Sequence, residues 1–159
     1  MQELPAEAGH TRLVQVHFDD LDPMGMVHNS RHALFVERAV GAYWQEQGWS
    51  MDPDRSRYPD THLVVREFLV TYEEPIRGTG DVGVRFRISR LGRTSVVYEF
   101  QVRSEDGRCV HAHGHRVQVR VDPETLQPLA FSDELRATAH GLMQGLEGEQ
   151  LPPSPSGRG

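Results

Sequence analysis

The sequence predicts an α+β domain in which an antiparallel β-sheet wraps around one long central helix. Three observations predict it: a short alternating segment comes first, one long apolar segment follows, and then four extended segments are separated by turn residues. Residues of a strand alternate between the two faces of a sheet, and a helix that is apolar on most sides must be buried. A sheet packed around a single helix is the simplest arrangement that satisfies both requirements.

The first strand and the helix are predicted from their hydrophobic spacing. Valine and phenylalanine alternate with polar residues over 13–18, as in a half-buried strand. After a turn-rich loop, Asn29 or Ser30 is placed to cap a helix that runs to a natural stop at Gly48. Apolar residues occupy most of the circumference of this helix, so we expect it to be buried on most sides.

Four strands are expected after a loop at 50–60 that is rich in Asp, Pro and Ser. Short turns separate them, and Asp106-Gly107 is typical of a type I′ hairpin, so neighbouring strands should be antiparallel. A short amphipathic helix near 132–143 should close the end of the domain. The four extended segments cover approximately residues 62–73, 81–90, 94–104 and 108–121.

The chain of 159 residues has the length of one domain, and no repeat or change in composition marks a boundary. We expect the folded unit at residues 11–146. Residues 1–10 are polar and aperiodic, and residues 147–159 are rich in Pro, Gly and Ser. Both ends are therefore expected to be disordered.

Composition excludes several functional classes. A net charge of −6 and a pI of about 5.8 have the wrong sign for a nucleic-acid-binding protein. A single cysteine, Cys109, allows neither an internal disulfide nor a cysteine-based zinc cluster. No segment approaches the ~20 apolar residues of a membrane span, and the N-terminus lacks the features of a secretory signal. We expect a cytoplasmic protein that binds neither nucleic acid nor membrane.

The loop before the helix carries the most informative motif. An aromatic residue, acidic residues and then an Asp-x-x-Gly-x-Val-x-Asn pattern lead into the helix, and this order resembles the 4-hydroxybenzoyl-CoA thioesterase branch of the hot-dog superfamily. Shorter matches occur at a turn between the second and third of the predicted strands, at the central hairpin and in the last strand. The matching positions are Phe18, Asp19, Asp20, Asp22, Gly25, Val27 and Asn29, with Tyr72–Asp81, Gly92–Ser95 and Ala112–Asp122.

The resemblance covers nearly all of residues 11–130 and implies a hot-dog fold. It also implies hydrolysis of an acyl-CoA thioester to a free acid and a thiol, with Asp22 as nucleophile or general base. The N–H groups at the start of a helix lack intrahelical partners and carry the positive end of the helix dipole, so they can polarise the thioester carbonyl. Two positions depart from the pattern, since His32 and His28 stand where many relatives have other residues.

Other residues of the loop have two interpretations each. Gly25 lets the chain approach the substrate or adopts a positive φ in the turn, and His28 lines the acyl pocket or packs within the loop. Asn29 is better interpreted as a helix cap or a brace of the loop than as a catalyst. Asp19 and Asp20 are weaker candidates for the catalytic carboxylate.

The substrate's pantetheine and phosphate groups need polar partners away from the loop. Arg90, Arg93 and Ser95 at the central hairpin, with Arg116 on the last strand, are the candidates.

Three alternating histidines on the last strand could in principle bind a metal ion. In a regular strand they would share a face with Val117, Val119 and Val121, which we expect in the core on the helix side. We therefore expect a bulge at Gly114 that turns the histidines outward to the surface, and we expect no metal or cofactor. The three are His111, His113 and His115.

An open sheet leaves edge strands, which hot-dog relatives protect by pairing, so a homodimer or homotetramer is expected. The substrate tunnel would then lie between subunits, with the acyl chain against the helix. Alternatives are a thioesterase acting on acyl-carrier protein in a biosynthetic pathway and a non-catalytic acyl-binding protein of the same fold. The histidine and partner acid of a hot-dog dehydratase are not matched.

Overall fold

The computed structural model describes residues 9–143, so the predicted disorder at residues 1–8 and 144–159 lies outside the described residues. In this part of the chain, no helix is long and apolar enough to cross a membrane. The elements are β1 (His10–Val16), α1 (His32–Glu46), β2 (Leu63–Tyr72), β3 (Gly80–Leu91), β4 (Ser95–Ser104), β5 (Val110–Arg120) and α2 (Asp133–Ala139), with 3₁₀ turns at Phe18–Asp20, Asn29–Arg31 and His140–Leu142.

The five strands form one antiparallel sheet in the order β1-β3-β4-β5-β2. This arrangement confirms the predicted α+β architecture of an antiparallel sheet packed on one long helix. β1 and β2 are the two edge strands of the sheet.

Helix α1 packs one side against the sheet. Its opposite side, which includes Leu34 and Arg38, is exposed in the single chain, so the expected burial on most sides is found on one side only. The reason is that one sheet can cover only one side of a helix. The buried residues of α1 are His32, Phe35, Val36, Ala39, Val40 and Trp44.

Strand β5 faces the helix differently from the prediction. Its pairing with β4 is continuous from Ala112 to Val119, so there is no bulge at Gly114. The helix side of β5 therefore carries the even-numbered residues, which pair with buried residues of β4. As a result Arg116 faces α1, whereas Val117 and Val119 share the outer face with the histidines.

The turn between β4 and β5 also differs from the prediction. The N–H of Gly107 donates to the Ser104 carbonyl at 2.8 Å, and Gly107 has a φ of +75°. A type I′ turn needs a positive φ at both central residues, and Asp106 does not have one. Gly107 alone therefore supplies the left-handed conformation.

The sheet has two functionally different ends. The segment 17–31 and the turn 73–79 lie at one end, where Val16 pairs with Gly80 and Tyr72 pairs with Ala112. The β3–β4 hairpin lies at the other end. β4 has 10 residues, so at about 3.3 Å per residue the two ends are roughly 30 Å apart.

Candidate active site

A tight β-turn presents Asp22. The Gly25 N–H donates to the Asp22 carbonyl at 2.9 Å, with Pro23 at the second position of the turn. Gly25 has a φ of +76°, and a Cβ added there would meet nothing within 4 Å. The positive φ, rather than a close approach, is what requires glycine at this position in the structure.

The turn is fixed to the segment that joins β2 to β3. The Val27 N–H donates to the Ile76 carbonyl at 2.9 Å, and the Gly78 N–H donates to the Gly25 carbonyl at 2.9 Å. These bonds join the loop to the rest of the sheet, so the position of Asp22 is set by β3 as well as by its own turn.

The Asp22 carboxylate is held by one of its two oxygens. Oδ1 accepts hydrogen bonds from the Met24 N–H at 2.8 Å and from the Met26 N–H at 3.2 Å. Within residues 9–143, Oδ2 accepts no hydrogen bond from the protein. The carboxylate is therefore oriented, with one oxygen available to a ligand.

His28 caps the 3₁₀ turn Asn29–Arg31 that leads into α1, and α1 itself has no side-chain cap, so neither Asn29 nor Ser30 caps the helix as predicted. Nδ1 of His28 accepts from the Ser30 N–H at 3.1 Å, and its carbonyl accepts from the Arg31 N–H at 2.9 Å. The Asn29 carbonyl accepts from the Tyr72 hydroxyl at 2.9 Å. The Ser30 and Arg31 amides are thus used within the protein, whereas the Asn29 N–H donates to no partner among residues 9–143.

These residues surround an open cavity of about 390 Å³ at the start of α1. Asp22, His28 and Asn29 all line it, as the sequence predicted for one site, and Gly25 lies in the turn beside it. The segment after β2 forms the opposite wall. The remaining lining residues are Met26, Val27, His32, Tyr72, Glu73, Glu74, Pro75 and Ile76.

The two alternative carboxylates do not line this cavity. Asp20 is buried, accepts the His17 N–H at 2.8 Å and lies 3.7 Å from the Arg31 Nε, which is a structural environment. Asp19 is exposed. Among the described residues, His17, Asp19 and Asp20 are the only group close enough to share a metal ion, and exposed acidic groups are common without one.

His32 was noted in the sequence only as a departure from a motif. In the structure it is 4% exposed and lines the same cavity as Asp22. Burial, with His111 nearby, lowers the pKa of His32 to about 4, so its ring is uncharged at neutral pH. No hydrophobic pattern distinguishes such a residue from an ordinary core position of a helix.

A second, mainly apolar cavity of about 360 Å³ lies along the other half of α1. Helix α1, the loop after it, one end of the sheet and the segment around α2 enclose it. Its walls include Val40, Gly41, Trp44, Trp49, Met51, Leu63, Ile88, Val96, Tyr98, Leu126, Phe131 and Leu135.

An ion pair between a buried arginine and an exposed glutamate forms part of this wall. Arg116, predicted as a phosphate contact, is 3% exposed and its Nη1 lies 2.5 Å from Glu37 Oε2 on α1. Next to it, Trp44 Nε1 donates to the Tyr98 hydroxyl at 2.8 Å, and burial raises the pKa of Tyr98. Arg116 thus links the sheet to the helix and has no surface to offer a phosphate.

The other predicted contacts lie at the far end of the sheet. Arg90 and Arg93 are exposed, and Ser95 is half-buried, at the β3–β4 hairpin. In one chain, this hairpin and Asp22 are at opposite ends of the sheet.

The three histidines lie on the outer face and do not form a metal cluster among the described residues. His113 Nε2 lies 2.9 Å from Glu73 Oε1, and His115 contacts Glu67. Carboxylates of the neighbouring strand therefore lie next to them, which the sequence did not indicate.

Comparison with known proteins identifies the family. The family model described as "Thioesterase superfamily" matches residues 24–111, which is more than half of the chain. The chain belongs to the thioesterase superfamily. The match begins just after Asp22, so the position of that residue rests on the geometry above. No curated protein matches the sequence closely.

Solved structures agree with this membership. The PA5185 protein of Pseudomonas aeruginosa is 27% identical with a TM-score of 0.75, over 86% of this chain and 92% of that one. A thioesterase of Thermus thermophilus, complexed with coenzyme A and Zn, is 29% identical with a TM-score of 0.66, over 80% and 94%. The DHNA-CoA thioesterase of Staphylococcus aureus shares the fold, with 20% identity and a TM-score of 0.71 over 89% and 95%.

The predicted hot-dog fold is thereby confirmed. Membership of this superfamily supports thioester hydrolysis as the general activity of the chain.

Proposed function

We propose that this thioesterase hydrolyses acyl-CoA, with Asp22 as its catalytic carboxylate. The observation that carries the proposal is the orientation of Asp22, which leaves one carboxylate oxygen without a hydrogen bond from the described part of the chain, beside a cavity at the start of α1. Coenzyme A as the thiol is supported by the Thermus thermophilus relative, whose structure contains it.

Two routes use the same carboxylate. In one, Asp22 takes a proton from water as the water oxygen attacks the acyl carbon; the C–S bond breaks and the thiolate leaves and is protonated. In the other, an Asp22 oxygen attacks the acyl carbon, the C–S bond breaks, the thiolate leaves and is protonated, and water then hydrolyses the resulting mixed anhydride to the free acid and regenerates Asp22. In both routes the carbonyl oxygen becomes negative, and N–H donors at the start of the helix stabilise it. The Asn29 amide, which has no partner among the described residues, can act as such a donor.

The apolar cavity along α1 is proposed to hold the acyl group. Its aromatic and aliphatic walls suit a hydrocarbon or an aryl group, and its volume is in the range of ligand pockets. It lies along α1 on the helix side of the sheet, where the acyl chain was expected.

We further propose that two copies of the chain complete each site. Arg90, Arg93 and Ser95 can contact a substrate held by Asp22 only if another subunit supplies them, because in one chain they lie at the other end of the sheet from Asp22, roughly 30 Å away along β4. The edge strand β2 exposes Val64, Val65 and Leu69, which is consistent with pairing to another copy.

The test is Asp22→Asn. Asparagine keeps an oxygen that can accept from Met24 and Met26, so the turn should survive while the negative charge is lost. We expect kcat for acyl-CoA hydrolysis to fall by about 100-fold or more, with the melting temperature unchanged. Asp19→Asn, which removes an exposed acid three residues away, is the matched control and should keep activity.

Turnover of Asp22→Asn within about threefold of wild type would refute the catalytic role. Hydrolysis of acyl-carrier protein but not of acyl-CoA would support the biosynthetic alternative. Binding of acyl-CoA without release of thiol would support the non-catalytic one.

A further inference from the structure

The first residue of α1 has a buried polar ring that the proposed mechanism does not use. His32 is 4% exposed and packs against two aromatic rings, Phe35 at 6.0 Å and Tyr72 at 5.0 Å between centroids. A phenylalanine could make the same ring contacts. Packing alone therefore does not explain a histidine at this position.

Hydrogen bonding within the chain does not explain it either. Nδ1 of His32 is sealed from solvent and has no hydrogen-bond partner among the described residues. Nε2 also has no hydrogen-bond partner among the described residues, but unlike Nδ1 it is not sealed from solvent. His32 lines the cavity that contains Asp22. A buried polar atom without a partner lowers stability, so it needs another explanation.

The charge state of the ring limits what it can do. Burial in the first place, and His111 in the second, hold the pKa of His32 well below its usual range, and the positive end of the α1 dipole acts in the same direction. A neutral imidazole carries one N–H. With the hydrogen on Nε2, the donor faces the cavity, whereas a hydrogen on Nδ1 would have no acceptor.

We propose that His32 donates a hydrogen bond from Nε2 to the carbonyl oxygen of the bound thioester. The inference rests on the proposed function, since it assigns a second donor to the same oxyanion as the amides of the helix start. The N–H of a neutral imidazole can stabilise the negative charge that develops on a carbonyl oxygen.

The kinetic test compares two substitutions of one residue. His32→Phe keeps a ring of similar size and removes the donor, and His32→Gln places an amide N–H close to the former Nε2. We expect His32→Phe to lower kcat by about 10- to 100-fold with a melting temperature equal to or above that of wild type. His32→Gln should recover a large part of kcat.

A binding test separates the carbonyl contact from catalysis. The ligands are two stable analogues of a substrate acyl-CoA: a ketone in which CH₂ replaces sulfur, and a thioether in which CH₂ replaces the carbonyl. We expect His32→Phe to weaken binding of the ketone about fivefold or more, and to leave binding of the thioether unchanged.

The outcomes distinguish this inference from the function on which it rests. Unchanged kcat in His32→Phe, or equal loss of affinity for both analogues, would overturn the role of His32 while Asp22→Asn remained inactive. A wild-type protein that hydrolysed no thioester and bound neither analogue would overturn both proposals.

Discussion

Gly41 lies in the middle of α1 and faces the apolar cavity. A Cβ added at this position would meet nothing within 4 Å. Glycine inside a helix lowers stability by about 0.5–1 kcal/mol relative to alanine. We therefore expect Gly41→Ala to stabilise the protein by about this amount, and larger side chains at 41 to fill the cavity.

The size of the effect on substrates follows from the cavity volume. At about 30 Å³ per non-hydrogen atom, the volume of one water in the liquid, 360 Å³ holds about twelve such atoms. The phenylalanine side chain of Gly41→Phe has about seven, which leaves room for roughly five. Each excluded methylene costs about 0.8 kcal/mol, or roughly fourfold in kcat/KM. A ten-carbon acyl group should therefore lose about 4 kcal/mol, or roughly a thousandfold.

The assay is free-thiol release from saturated acyl-CoAs of two to about twelve carbons, with Gly41→Ala as the matched control. Short substrates should be hydrolysed by Gly41→Phe at close to the wild-type rate, and long ones should not. An unchanged chain-length profile in a folded Gly41→Phe protein would refute the assignment of this cavity to the acyl group. An equal loss for all lengths would show damage to the fold instead.

Three other predictions concern separate parts of the molecule. Gly114→Ala should destabilise the protein by about 1–3 kcal/mol in urea unfolding, because the added Cβ would lie 1.8 Å from the Leu69 carbonyl oxygen of the edge strand; a change below about 0.5 kcal/mol would contradict this. Because the pKa of His32 is about 4 when folded and about 6.5 when unfolded, the unfolded chain takes up a proton first, so stability should fall as the pH drops from 6.5 towards 4. Allowing for solvent screening at the open cavity, the free energy of unfolding should fall by about 2 kcal/mol between pH 7 and pH 4.5. In His32→Phe the fall over the same pH range should be smaller by this amount. Arg93→Ala should raise KM for acyl-CoA severalfold with kcat unchanged, whereas Arg55→Ala, which removes another exposed arginine, should change neither.

The sequence predicted the elements well where hydrophobic spacing is regular. The alternation in β3 and β4 placed both strands within one or two residues, and the apolar run after Ser30 placed α1. In β5 the same reasoning failed, because it assigned the valines to the helix side. The structure turns Arg116 inward instead, where Glu37 neutralises it. Periodicity cannot detect a buried arginine that is paired across two elements, since it assumes that charged residues face solvent.

For the site, the motif placed Asp22, His28 and Asn29 on one cavity because they are close in sequence. It could not assign the cap, since a histidine side chain that accepts a backbone N–H has no distinctive spacing. It also could not relate Asp22 to Arg93, because the distance between them is set by the length of the sheet. Contacts within one loop can be predicted from nearby residues, whereas contacts across the sheet can be predicted only when the register of the strands is known.

Two different parts of the chain supply the residues that line the apolar cavity. Val40, Gly41 and Val96 come from the segment that matches the superfamily model, whereas Leu126, Phe131 and Leu135 come from the chain after it. The segment around α2 is attached to the β3–β4 hairpin, since the Phe131 N–H donates to the Arg93 carbonyl at 2.8 Å. With the acyl group assigned to this cavity as proposed, we expect substitutions in this later segment to reshape acyl preference while the turn that presents Asp22 stays intact, so that selectivity and chemistry change independently.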